Sequence, residues 1–125
     1  MISNTKRAVV LFAHGSRDPL WHKPMEAVAA QIAAAESGRE VCCAYLEISQ
    51  PDLPTACQQL LELGIGHIAV VPMFLGVGRH AREDLPLLVE QLRMQHLDVV
   101  FELRPAVGED PRLIALLAQI AADPG

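Results

Sequence analysis

The chain has 125 residues, 51% hydrophobic, 20% charged and only 4% aromatic. That balance supplies one globular core and excludes disorder, collagen-like repeats and a two-domain layout. Fifteen acidic residues against ten basic ones give a formal charge of -5. A duplex nucleic-acid binder, which must neutralise many phosphates, is not expected, and any anionic ligand needs a local basic patch. The apolar run Ala8 to Ala13 is too short for a bilayer span or a secretory core, so the expectation is a cytoplasmic protein with no membrane partner. Cys42, Cys43 and Cys57 are odd in number and form no C-x-x-C pair, which reads as reduced core thiols and not as disulfides or zinc ligands.

Along the chain, short β-rich runs alternate with longer helical patterns four times, without a linker or a low-complexity stretch. Arg7 to Ala13 is nearly continuous in apolar residues, as a parallel strand covered on both faces should be, and it stops at His14-Gly15. Met25, Val28, Ala29 and Ile32 then recur at helical spacing, with an alanine-rich continuation to Gly38. Val41 to Ile48 reads as the second strand. Ser49-Gln50-Pro51-Asp52 supplies a capping serine and an early proline, so the second helix is expected to begin there, with Leu53, Ala56, Cys57, Leu60 and Leu61 inward and Gly64 past its end. His67 to Phe74 is the third strand. The third helix follows Gly76-Val77-Gly78-Arg79-His80 and turns Leu85, Leu88, Val89 and Leu92 inward; Pro86 is tolerable there only within about the first turn. Val99 to Leu103 is the fourth strand, and Asp110-Pro111 opens a last helix with Leu113, Leu116, Leu117 and Ile120 inward.

Four βα units with short connections make right-handed crossovers. The expected fold is one three-layer α/β domain over residues 1-125: a four-stranded, mostly parallel sheet of flavodoxin-like order 2-1-3-4 with helices on both faces. Ligands of such sheets bind beyond the carboxyl ends of the strands where the order reverses, here between strands one and three. That edge carries His14, Ser16, Arg17 and Asp18 after strand one, and Gly76, Gly78, Arg79, His80, Arg82, Glu83 and Asp84 after strand three.

An imidazole is a good ligand for divalent cobalt, nickel, iron or zinc and also a base. Each histidine alone has a bland account, bonded to turn backbone or beside a helix start; the two across one switch point favour function. Two histidines do not make a structural zinc site, which takes four protein ligands, but they suit an open, labile one. Glu47, at the end of strand two, is the nearest carboxylate and is either a third ligand or a proton acceptor. His22, His67 and His96 fall away from this edge as surface or local hydrogen-bonding residues. Arg17, Arg79 and Arg82 form the basic patch that a carboxylate or phosphate requires, and at least one of them is expected to pair with a neighbouring acid. Gly76-x-Gly78 opens a helix but lacks the third glycine of a dinucleotide loop, since position 81 is Ala. Ser16 stands in no G-x-S-x-G.

These motifs, A-H-G-S-R-D-P at 13 to 19, Y-L-E at 45 to 47, P-M-F-L-G-V-G-R-H-A-R-E-D-L-P at 72 to 86 and G-E-D-P at 108 to 111, resemble the small CbiX-like class II chelatases over essentially the whole chain. The resemblance implies insertion of a divalent metal into sirohydrochlorin in cobalamin or sirohaem biosynthesis, with cobalt first and nickel or ferrous iron as alternatives. The metal is a substrate, and no organic cofactor or ATP is implied. His14 and His80 match the family's metal-binding histidines, and Glu47 its acidic helper. Ser16, Arg17, Gly78, Arg79 and Arg82 are the expected contacts to the tetrapyrrole. Larger relatives hold the macrocycle between two such domains, so this chain is expected to act as a homodimer. A metal or tetrapyrrole carrier using the same pocket is the alternative. A histidine phosphatase is disfavoured because Ala13 stands where its phosphate-holding arginine would precede the histidine.

Overall fold

The structure is a computed structural model and describes residues 6–35 and 39–125. Four strands, β1 (Lys6–Ala13), β2 (Glu40–Tyr45), β3 (Ile65–Pro72) and β4 (Val100–Leu103), alternate with four helices: α1 (Lys23–Ala35), α2 (Leu53–Glu62), α3 (Arg79–Gln95) and α4 (Pro111–Ala122). The sheet runs β2-β1-β3-β4 with every pair parallel, the order expected from the alternation. Parallel neighbours need crossover helices, and the successive crossovers place helices on both faces.

On one face, Ala8, Val10 and Phe12 of β1 and Ile68 and Val70 of β3 pack against Leu53, Ala56, Cys57 and Leu60 of α2 and Ala81, Leu85, Val89 and Leu92 of α3. On the other, Val9, Leu11 and Ala13 of β1 and Tyr45 of β2 pack against Met25 of α1. The period of two in β1 thus feeds both layers from one strand, which is why that strand reads as continuously apolar. Burial raises the Cys57 thiol to about 12 and Cys42 to about 11, with the nearby Cys42 and Cys43 thiols respectively adding to it. All three cysteines are free; Cys57 is buried in the core as expected, whereas Cys42 and Cys43 are only half-buried.

Several expectations are corrected. Ser49 does not cap the second helix: Asp52 does, its carboxylate accepting the Thr55 N–H at 2.9 Å. The second strand stops at Tyr45, and residues 46–50 turn back over the loop that follows β1. The third strand starts at Ile65 because that residue already pairs with Lys6. Pro86 lies well inside α3, where it supplies no N–H to the Arg82 carbonyl; both residues are exposed, so that carbonyl can turn to water. The expected continuation of the first helix to Gly38 falls on positions 36–38, outside the described residues.

The largest departure is α4. Asp110 caps it as expected, accepting the Arg112 N–H, and Pro111 opens it. None of its residues is buried, however: Leu116 is 51% and Ile120 62% exposed. The reason lies in its tether. Gly108 donates its N–H to the Phe74 carbonyl at 2.9 Å, and a Cβ on it would sit 1.8 Å from the Leu75 carbonyl oxygen. With Ala106 buried beside it, the segment 106–110 is sewn to the end of β3, and this fixes where α4 starts without laying its apolar face on the sheet.

Candidate functional site

The loops at the carboxyl ends of β1, β2 and β3 meet on one edge. The turn after β1 is held from both sides. Leu46 donates its N–H to the Ala13 carbonyl at 2.8 Å and Glu47 to the His14 carbonyl at 3.0 Å, while Met73 donates to Phe12 at 2.8 Å. Gly15 has φ +106, and a Cβ there would lie 1.9 Å from the Glu47 carbonyl oxygen. Glycine is therefore required both for the backbone conformation and for the close approach of the two loops.

His14 is exposed, and its ring lies against Phe74, with centroids 4.5 Å apart at a 44° tilt. Phe74 is buried and meets Phe12 edge-on at 6.1 Å. The imidazole thus stands on an aromatic floor continuous with the core. His80 is the second residue of α3, exposed, on the loop-helix junction that follows the neighbouring strand β3. The switch point brings both histidines to one edge, as the topology implied.

Glu47 is exposed and anchored through its own backbone. Among the described residues, no three His, Cys, Asp or Glu side chains are grouped to hold a metal ion.

Of the three arginines, Arg79 pairs with Glu83 one helical turn on, Nε to Oε1 at 3.2 Å with both side chains largely exposed, a contact of small energetic weight. Arg17 and Arg82 have no ion pair among the described residues. Ser16 accepts the Asp18 N–H on its hydroxyl at 3.0 Å, a local turn contact. Gly78 caps α3 with no side-chain hydrogen bond, so the first-turn N–H groups of that helix face the edge without an internal side-chain acceptor. A Cβ added at Gly76 or Gly78 would meet no atom within 4 Å, so the phosphate-cradle reading gains nothing from crowding there.

His22 is a correction. It does not lie away from the edge: it is half-buried, and its Nε2 is 3.0 Å from the Ser16 carbonyl. His67 and His96 are where they were expected, the first near the start of β3 with Nε2 3.2 Å from Glu102, the second closing α3. Sequence reasoning misses a set of exposed apolar residues, one or two on each loop of this edge: Leu20 and Trp21 after β1, Leu46 and Ile48 after β2, and Leu75 after β3. Large apolar side chains clustering on loops are the signal that could have found them.

An open parallel sheet of order β2-β1-β3-β4, with His14 and His80 on the segments that follow the two strands at its switch point and exposed apolar residues on the same loops, is a doubly wound α/β domain. The chain belongs to the CbiX family, whose model matches residues 8–123. It is 33% identical over 81 residues to the sirohydrochlorin cobaltochelatase of Methanothermobacter thermautotrophicus, a match covering 65% of this chain and 56% of that protein. The chain thus spans little more than half the length of that relative. A sirohydrochlorin cobaltochelatase of Saccharolobus solfataricus is 27% identical over 121 residues, covering 89% of this chain and 90% of its own. Among solved structures, a CbiX protein from Marinobacter aquaeolei VT8 superposes with a TM-score of 0.78 at 31% identity, over 92% of this chain and 93% of the other. The Bacillus subtilis subspecies spizizenii chelatase SirB, solved with cobalt, shares the fold at 24% identity with a TM-score of 0.79, over 95% of this chain and 51% of its own. No helix among the described residues is long and apolar enough to cross a membrane.

Proposed function

We propose that this protein is an ATP-independent chelatase that inserts a divalent metal ion into sirohydrochlorin. The observation that carries the reading is His14 directly after β1 and His80 in the first turn of α3, after the neighbouring strand β3, in a CbiX-family chain. Relatives carry the names sirohydrochlorin cobaltochelatase and sirohydrochlorin ferrochelatase, which supports the substrate and leaves cobalt as the first metal to test, with ferrous iron and nickel beside it.

In this reading His14 and His80 take a partly dehydrated ion as substrate and leave coordination positions open for pyrrole nitrogens. Two pyrrole N–H protons leave as two metal–nitrogen bonds replace them; Glu47, through water, receives one, and the other passes to solvent water. Leu46, Ile48 and Leu75 offer apolar surface to the flat macrocycle. Arg17, Arg82, the Ser16 turn and the uncapped start of α3 at Gly78 meet its peripheral carboxylates, and Arg79 joins them if it leaves Glu83. A single sheet edge gives the ring one wall, so the working unit is a homodimer. The apolar side chains of α4, unburied in one chain, support a second copy as the cover for that helix.

The test is anaerobic incubation of the protein with sirohydrochlorin and, separately, cobalt, nickel and ferrous ions, followed by tetrapyrrole absorption. Multiple turnovers with wild type and their loss in His14→Ala and His80→Ala, each still folded, are the expected results. Full activity in either variant overturns the ligand assignment, and tight binding without acceleration makes the protein a carrier.

A further inference from the structure

The loop after β2 contains a device that no strand or helix explains. Ile48 has φ +72, a conformation that a β-branched side chain strongly resists, and the Ser49 N–H donates across it to the Glu47 carbonyl at 2.7 Å. This is a γ-turn of the strained hand, and Ile48 itself is 60% exposed, so packing of its side chain does not account for the strain. What the turn accomplishes is the placement of Ser49. The Ser49 hydroxyl accepts the Ser16 N–H at 2.9 Å and donates to the Ser16 carbonyl at 2.9 Å, closing a reciprocal pair between two loops. His22 Nε2 donates to the same carbonyl at 3.0 Å and lies 3.3 Å from the Ser49 hydroxyl. The His22 ring is itself wedged edge-on against Tyr45 and Trp21, with centroids 5.0 and 5.1 Å away.

We propose that Ser49, presented by the strained turn at Ile48 and backed by His22, is a positioning residue that locks the His14 turn for metal binding. The inference rests on the reading of His14 as a metal ligand. Glu47 holds the backbone of His14 itself, Ser49 holds the backbone two residues on, and Gly15 between them lies so near the Glu47 carbonyl that a Cβ there would clash with it. His14 therefore has its main chain clamped on both sides by one five-residue loop. Ser49 touches neither metal nor macrocycle; it acts by removing the freedom of the turn that carries the ligand, and supporting contacts of this kind weigh heavily in metal affinity.

The test is cobalt ion alone, titrated by absorption into wild type, Ser49→Ala, Ser49→Thr and His14→Ala well below the unfolding temperature of each. Amide hydrogen exchange at Ser16, Leu46 and Glu47 is measured on the metal-free proteins. Ser49→Ala is expected to weaken cobalt about tenfold and to speed exchange at those three amides with the strand amides unchanged. Ser49→Thr, which keeps the hydroxyl, is expected to stay within about twofold of wild type in affinity. A residue that only stabilised the fold would lower the unfolding midpoint without moving cobalt affinity in the folded protein. Wild-type affinity in Ser49→Ala, with binding lost in His14→Ala, overturns the clamp and leaves the ligand reading standing. Equal loss in both Ser49 variants overturns it as well, because the hydroxyl is then not the cause. Wild-type affinity in His14→Ala instead overturns the ligand reading, and the clamp with it.

Discussion

Replacing Gly15 with alanine is the sharpest single perturbation of the candidate site. The new Cβ would lie 1.9 Å from the Glu47 carbonyl oxygen and 3.3 Å from the Ser49 nitrogen, on a residue with φ +106. Backbone atoms stand in the way, so no side-chain rotation relieves the clash; either the turn or the loop at 46–50 must move by about an ångström. Holding a non-glycine residue in that conformation costs roughly 1–3 kcal/mol. Moving the loops apart breaks the bonds from Leu46 to Ala13 and from Glu47 to His14, each worth about 0.5–1.5 kcal/mol. A loss of roughly 2–6 kcal/mol is expected, a large fraction of a typical domain's stability. Urea unfolding measures it, with Gly76→Ala as the control, since a Cβ there meets nothing within 4 Å and a change within about 0.5 kcal/mol is expected. Metal insertion should fall in Gly15→Ala even where the protein remains folded. A Gly15→Ala protein as stable as the control would refute the close approach and the reasoning built on it.

Three further outcomes follow from the same structure. Leu116→Glu and Leu117→Glu on the unburied face of α4 should convert a homodimer to monomer in sedimentation while leaving the chain folded; a dimer unchanged by both places the contact elsewhere. Cys57, buried with its thiol raised to about 12, should resist a thiol-specific disulfide reagent at pH 8 in the native protein and react fully in urea; rapid labelling of native Cys57 would show that the α2 face opens readily. Asp110 is held at about 2 by the hydrogen bond from the Arg112 side chain and then by that from its backbone N–H. Its folded value is thus depressed, so its contribution to α4 is fully present above the ordinary carboxylate value of 3.8 and is lost as pH falls toward 2. The helicity difference between wild type and Asp110→Ala should shrink across that interval; a difference that stays constant would contradict the assignment.

Much of this architecture is legible in the chain itself. Alternating apolar runs and helical spacings suffice for four βα units, and the expected flavodoxin-like order is the observed β2-β1-β3-β4, which puts the segments carrying His14 and His80 after neighbouring strands. The inward placing of Cys57 and the capping by Asp110 are local matters of spacing and hydrogen bonding within a few residues, and the structure bears out both. Sequence patterning reports which residues are apolar, not what covers them: Leu113, Leu116, Leu117 and Ile120 have the spacing of an inward stripe, yet the anchoring of Gly108 to the end of β3 leaves that stripe unburied. Nor does a local pattern reveal contacts between residues far apart in the chain. Ser49 resembles a helix cap, but its hydroxyl serves Ser16 thirty-three positions earlier, and Phe74 becomes the floor of His14 only once β3 lies beside β1. Those partnerships exist because folding brings two loops within hydrogen-bond reach, and only the tertiary structure decides them.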